Sequence, residues 1–126
     1  MLIRKIKDLP ELDQVVKCPK GDFTSYRFLL ESDGMGYTVT KTVIPKGGPY
    51  HWHYKKHLES CYCVSGVGEL TNLTTGGIFS IVPDTLYALD KHDDHTFEAL
   101  RDTVLICVFN PPLTGKEVHK EDHSYE

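Results

Sequence analysis

The sequence predicts an all-β sandwich or barrel built from two antiparallel sheets, and three observations predict it. Short runs rich in β-formers recur at roughly ten-residue spacing, the pattern of such folds. Gly, Pro and Asp clusters break every run. Helical periodicity is confined to one short stretch near the N-terminus, so at most one or two short helices are expected.

That stretch is 8–16. Asp8 is a candidate N-cap, and Leu9, Leu12 and Val16 lie roughly on one side, giving two turns at most. Phe23 to Leu30 is the first β run and ends at Ser32-Asp33-Gly34. Tyr37 to Ile44 is the second and ends at Pro45-Lys46-Gly47-Gly48-Pro49. His57 to Val64 leads into Gly66-Val67-Gly68, and Glu69 to Thr74 turns at Thr75-Gly76-Gly77. Ile78 to Val82 meets Pro83-Asp84; Leu86 to Leu89, Thr96 to Leu100 and Thr103 to Phe109 complete the series. From residue 110 the chain reads Asn-Pro-Pro-Leu-Thr-Gly and ends in a polar tail, so 110–126 is a candidate lid over the barrel mouth. A length of 126 residues fits one domain spanning the whole chain.

Composition narrows the partners. Lys and Arg number 14 against 18 Asp and Glu, a net charge of −4. Nucleic acids and anionic membranes select basic surfaces, so neither is expected as a partner. Val104 to Phe109 is the longest apolar run, far short of the ~18 residues of a membrane span. The N-terminal residues carry no apolar signal core, and the expected location is the cytoplasm. There Cys18, Cys61, Cys63 and Cys107 are expected as buried thiols. No second Cys pair accompanies Cys61 and Cys63 at zinc-ribbon spacing, which argues against structural zinc.

Alternation assigns faces. Thr38, Thr40 and Thr42 share one, facing solvent or a polar lumen. His57, Glu59, Cys61 and Cys63 share another, opposite Leu58, Ser60, Tyr62 and Val64. Cys107 and Phe109 share a third, opposite Val104, Ile106 and Val108.

Five of the seven His fall in two bursts, one around His51, His53 and His57, the other at His92 and His95. His51-x-His53, then Glu59 and Gly66, resembles the first motif of the cupin superfamily. Gly77 followed by Pro83 resembles the start of the second. Period 2 on a strand would turn both His and the Glu into a lumen, where imidazole and carboxylate can share a divalent metal. In the second motif no His stands after Pro83, and Tyr87 is the only metal-capable side chain there.

Three longer stretches are similar to the ectoine synthase family. They are His51 to Glu59, Leu86 to His95 and Val108 to His119, with Thr24-Ser25 before Arg27 and Asp33-Gly34-Met35-Gly36 in support. The resemblance implies a cupin-type jelly-roll barrel and a cytoplasmic homodimer that uses iron(II). It implies cyclisation of N-γ-acetyl-L-2,4-diaminobutyrate to ectoine with loss of water. It places Glu59, Tyr87 and His95 on the metal, with His51 and His53 outside the ligand set. Phe23, Arg27, Thr40, Thr42, Cys107, Phe109, Glu117 and His119 fall around the substrate. Tyr54, His57, Thr42 and His119 carry the catalytic support. Arg27 suits a bidentate grip on the substrate carboxylate. His57, Tyr54 or His119 could take the amine proton. His92 and His123 read as solvated or structural.

Phe23 stands where the family typically has Trp, and Thr40 where Asn is usual. These departures leave open an ectoine-synthase-like cupin with altered substrate preference or hydrolytic direction. A non-catalytic solute-binding cupin is the remaining alternative.

Overall fold

Ten antiparallel strands appear in a computed structural model that describes residues 1–117. They are β1 (Val15–Lys17), β2 (Thr24–Arg27), β3 (Thr38–Ile44), β4 (Gly47–Trp52) and β5 (Leu58–Ser65). β6 (Gly68–Asn72), β7 (Ile78–Ile81), β8 (Leu86–Leu89), β9 (His95–Ala99) and β10 (Thr103–Asn110) complete the set. A six-stranded sheet runs β1-β2-β3-β10-β5-β8, and a four-stranded sheet runs β4-β9-β6-β7. Residues of both sheets share one buried cluster: Ile44, Cys63 and Leu105 from the larger, Trp52, Leu70 and Phe97 from the smaller. This is the jelly-roll arrangement, with the inward faces of both sheets forming the core.

Helix content is smaller than expected. The 8–16 segment forms two single 3-10 turns, Ile6–Asp8 and Pro10–Leu12, and then a strand. Pro10 has no N–H to continue a helix. Asp13 takes the left-handed conformation at φ 58°, and the β-branched pair Val15-Val16 enters β1. A third 3-10 turn covers Glu31–Asp33.

The second difference is β4. The Pro45 to Pro49 stretch breaks the chain as expected, but the strand resumes inside it. β4 is an edge strand with a register irregularity between Gly47 and Tyr50, where a Pro is tolerated because no ladder donor is missing. The irregularity sets the parity of residues 50–54. Trp52 and Tyr54 are buried, while His51 and His53 stay partly exposed. Trp52 stacks on Phe97 with ring centres 5.8 Å apart, meets Phe23 edge-on at 5.6 Å, and donates its indole N–H to Asp22 at 3.1 Å.

Gly66 turns the chain between β5 and β6 at φ +97°. A Cβ there would lie 2.6 Å from the Asp102 carbonyl oxygen and closer still to the Thr103 hydroxyl. That turn lets β5 and β6 enter different sheets.

After β10 the chain doubles back over the larger sheet. Leu113 is fully buried; its N–H donates to Thr38 Oγ1 at 2.8 Å, and its carbonyl accepts the Glu31 N–H at 2.8 Å.

Candidate active site in the barrel lumen

The inner face of the larger sheet carries one continuous row of side chains. Strand register places Arg27 opposite Thr40, Thr40 opposite Cys107, Cys107 opposite Cys61, and Cys61 opposite Tyr87. Glu59 lies one step along β5, opposite Phe109 and Leu89. The three-Thr face therefore looks into the lumen. Thr40 and Thr42 hydroxyls meet at 3.0 Å, and Thr42 Oγ1 donates to Cys107 Sγ at 3.5 Å.

Glu59 is buried within this row. Burial raises its carboxyl to about 7, against hydrogen bonds with Cys61 and Cys107 that pull it down. Burial likewise pushes the Tyr87 phenol well above its ordinary range, and the charge of Glu59 adds to this. Both groups carry a desolvation penalty for a negative charge that a nearby cation would remove.

His95 comes from β9, in the opposite sheet, and is almost fully buried against Trp52 and Tyr54. Its Nδ1 meets the Asp93 carbonyl at 2.8 Å. A carbonyl only accepts, so Nδ1 carries the proton and Nε2 of the neutral ring carries a lone pair. Burial, the largest influence, lowers the His95 pKa and keeps the ring neutral. Nε2 is buried and has no hydrogen-bond partner among the described residues. A backbone-anchored His with an orphaned lone pair is the form that metal-binding imidazoles take. The donor chemistry of Glu59, Tyr87 and His95 thus fits a divalent cation.

Two cavities meet at Tyr87. An inner one of about 10 Å³ is lined by Phe23, Thr42, Tyr54, Glu59, Cys107 and Phe109 among others, with Cys61 and Tyr87. It has room for one water-sized centre. A wider one of about 650 Å³ opens outward and is walled by Tyr87, His95 and Asp93 together with apolar residues of β7 and β8. That size suits a small organic molecule.

The other residues expected at the site fall in two groups. Phe23, Thr42, Tyr54, Cys107 and Phe109 surround the inner cavity. Arg27, Thr40, His57 and Glu117 are buried but do not line it. Arg27 Nη2 donates to the Glu117 carbonyl at 2.9 Å. The Glu117 carboxylate accepts the Thr114 N–H at 2.8 Å, the Thr114 hydroxyl at 3.0 Å and the Gly115 N–H at 3.0 Å. Burial acts to raise its pKa, and these bonds outweigh it, holding the carboxyl below its ordinary value. His57 Nδ1 donates to the Pro111 carbonyl at 2.9 Å, and the ring stands edge-on to Phe109 at 6.0 Å. His119 lies outside the described residues, as do His123 and the end of the expected lid.

The generic cupin pattern would turn His51 and His53 into the lumen. The structure turns them out. His51 Nε2 pairs with Asp94 Oδ1, and His53 Nδ1 lies 3.8 Å from the same oxygen. His92 donates from Nδ1 to the Tyr54 carbonyl at 3.0 Å, a structural role. Cys61 is the residue that sequence reasoning missed. Its inward direction was legible, but its place opposite Cys107 depends on strand order.

A jelly-roll barrel with a buried carboxylate, a half-buried phenol and a buried imidazole turned to its lumen defines a protein of the cupin class. Solved structures agree on the fold: KdgF from Halomonas sp. superposes with a TM-score of 0.60 over 71% of this chain and 81% of that one, at 17% identity. The crystal structure of ectoine synthase from P. lautus superposes with a TM-score of 0.87 over 98% of this chain and 87% of that one, at 36% identity. The ectoine synthase family model matches residues 1–126. The L-ectoine synthase of Desulfatibacillum aliphaticivorans is 46% identical over 99% of this chain and 96% of that protein. That of Marinomonas sp. is 44% identical over 100% and 98%. The chain belongs to the ectoine synthase family.

Proposed function

We propose that this chain is an ectoine synthase, a carbon–oxygen lyase that closes N-γ-acetyl-L-2,4-diaminobutyrate into ectoine. The α-amine nitrogen bonds to the acetamide carbonyl carbon, the carbonyl oxygen leaves as water, and a ring C=N remains. Membership of the family over the full chain carries this reading. The buried donor set supports it.

Glu59, Tyr87 and His95 would hold an iron(II) ion. When bound, it supplies Lewis acidity toward the amide carbonyl. The chain's own residues do the rest. The amine must shed a proton before it can attack, and Tyr54 and His57 stand beside the inner wall to take it, with His119 the third candidate. The Pro111 carbonyl holds His57 Nδ1–H, so a neutral ring accepts at Nε2. Thr42 and Cys107 offer a polar strip for the substrate's acetamide end, and Phe23 and Phe109 provide apolar walls. Arg27 and Thr40 would bind the carboxylate end, and Glu117 fastens the segment whose carbonyl meets Arg27. The inner cavity is too small for the substrate, so substrate enters through the wider one, which shares Tyr87 with it. Apolar enclosure by Trp52, Phe97 and Phe109 then keeps water from reversing the condensation.

In this role the chain is one domain, with 110–117 as the described part of the expected lid, working in the cytoplasm to make a compatible solute under osmotic stress. No helix among the described residues is long and apolar enough to cross a membrane. The working form is a homodimer. Leu58, Tyr62, Val64, Leu86 and Val108 form an exposed apolar patch on adjacent strands β5, β8 and β10, the kind of face a second copy covers.

The test is turnover by anaerobically purified, iron-loaded protein. Ectoine formed from the acetylated diamino acid supports the reading. A protein that binds iron and substrate but forms no ring contradicts it, and ring opening of added ectoine without net synthesis favours the hydrolytic alternative.

A further inference from the structure

Glu59, Cys61 and Cys107 form a second group that shares only Glu59 with the Glu59, Tyr87 and His95 donor set. One ligand atom from each lies within 4.8 Å of the other two, and all three residues are buried. They come from two neighbouring strands, with Cys61 and Cys107 directly opposite in the β5–β10 ladder. No other described His, Cys, Asp or Glu residues assemble in this way.

We propose that Glu59, Cys61 and Cys107 form a second metal site, a mixed thiolate–carboxylate site for a thiophilic divalent cation of the zinc class. It goes beyond the proposed reaction and does not depend on it. Two thiolates and one carboxylate are three protein donors, the number found in zinc sites that keep an open fourth position. Two sulfurs bound tetrahedrally at about 2.3 Å stand about 3.8 Å apart, so a shift of about half an ångström per donor closes a set that already lies within 4.8 Å. The inner cavity of about 10 Å³ is lined by all three residues and gives the ion its space.

The surroundings suit thiolates. Thr42 Oγ1 donates to Cys107 Sγ at 3.5 Å, and Tyr87 stands opposite Cys61 in the β5–β8 ladder. Such outer donors orient and stabilise metal-bound sulfur. Sulfur binds such an ion as thiolate, so ligation sends the thiol protons to solvent. Glu59 belongs to both donor sets, so a zinc-class ion at the thiols competes with iron for the same carboxylate.

Cobalt(II) is the probe, because sulfur ligation gives it a near-ultraviolet charge-transfer band. Reduced, metal-free full-length protein titrated anaerobically with cobalt should develop that band. It should weaken in Cys61→Ser and in Cys107→Ser, vanish in the double variant, and persist in Cys63→Ser and in His95→Ala. Cobalt binding with no sulfur band in the wild type overturns the proposal and leaves the Glu59, Tyr87 and His95 reading intact. A band unchanged in the double variant overturns it too. Should the serine variants misfold, X-ray absorption of the zinc-loaded wild type decides. Sulfur scatterers at about 2.3 Å support the site, and a shell of nitrogen and oxygen alone refutes it.

Discussion

His95 and Glu59 derive their importance from what burial does to them. His95 offers an orphaned Nε2 lone pair on a ring fixed by the Asp93 carbonyl. Burial pushes the Glu59 carboxyl up to about 7. A cation binds the carboxylate and not the acid, so iron affinity should rise more steeply with pH below about 7 than above it, where only the Tyr87 phenol still has a proton to give up. Equilibrium dialysis at a series of pH values measures this. A flat affinity across that range contradicts the role of Glu59. Glu59→Ala and His95→Ala should each lose bound iron and activity together, read by metal analysis of the purified variants. The sequence made these directions legible, since period 2 on β5 sends Glu59 inward with Cys61 and Cys63. The generic cupin spacing alone misdirected for His51 and His53, which the family resemblance set outside the ligands. The large Trp52 takes the interior position against Phe97, and the two His turn outward to Asp94.

Turns and latches decide how the elements hold together. Gly66 sits at φ +97° with Asp102 and Thr103 backbone atoms where a Cβ would be. Gly66→Ala should cost about 1–3 kcal/mol by forcing strain and overpacking at once, measured by urea denaturation. An unchanged midpoint contradicts the fit described for that turn. Glu117 holds the segment 114–117 through three hydrogen bonds to its carboxylate. Its folded pKa is depressed, so the latch contributes stability above the ordinary carboxylate pKa and loses it as pH falls through the folded value. Amide protection factors at Thr114 and Gly115 should drop in acid, and drop at neutral pH in Glu117→Gln. Protection unchanged in that variant rules the latch out. Most strands were legible at this scale because turn residues bracket them. β1 and β4 were not. A three-residue strand has no periodicity to read, and β4 begins inside a Gly-Pro segment that an edge position makes tolerable.

The molecule as a whole is a lumen shared by two sheets, and this was the least legible scale. Strand order decides that Cys61 meets Cys107 and that His95 faces the lumen from across the barrel, and no local pattern carries strand order. The apolar patch at Leu58, Tyr62, Val64, Leu86 and Val108 predicts a dimer. A Leu86→Glu, Val108→Glu variant should run as a monomer in light scattering, where the parent runs as a dimer; a monomeric parent contradicts the assignment. A single bond-forming event inside that lumen makes ectoine. N-γ-acetyl-L-2,4-diaminobutyrate labelled with ¹³C at the acetyl carbonyl, incubated with the iron-loaded protein, tests it by NMR. The label should move from an amide carbonyl resonance to the ring amidine carbon of ectoine. A label that stays in the amide, or leaves as free acetate, contradicts ring closure.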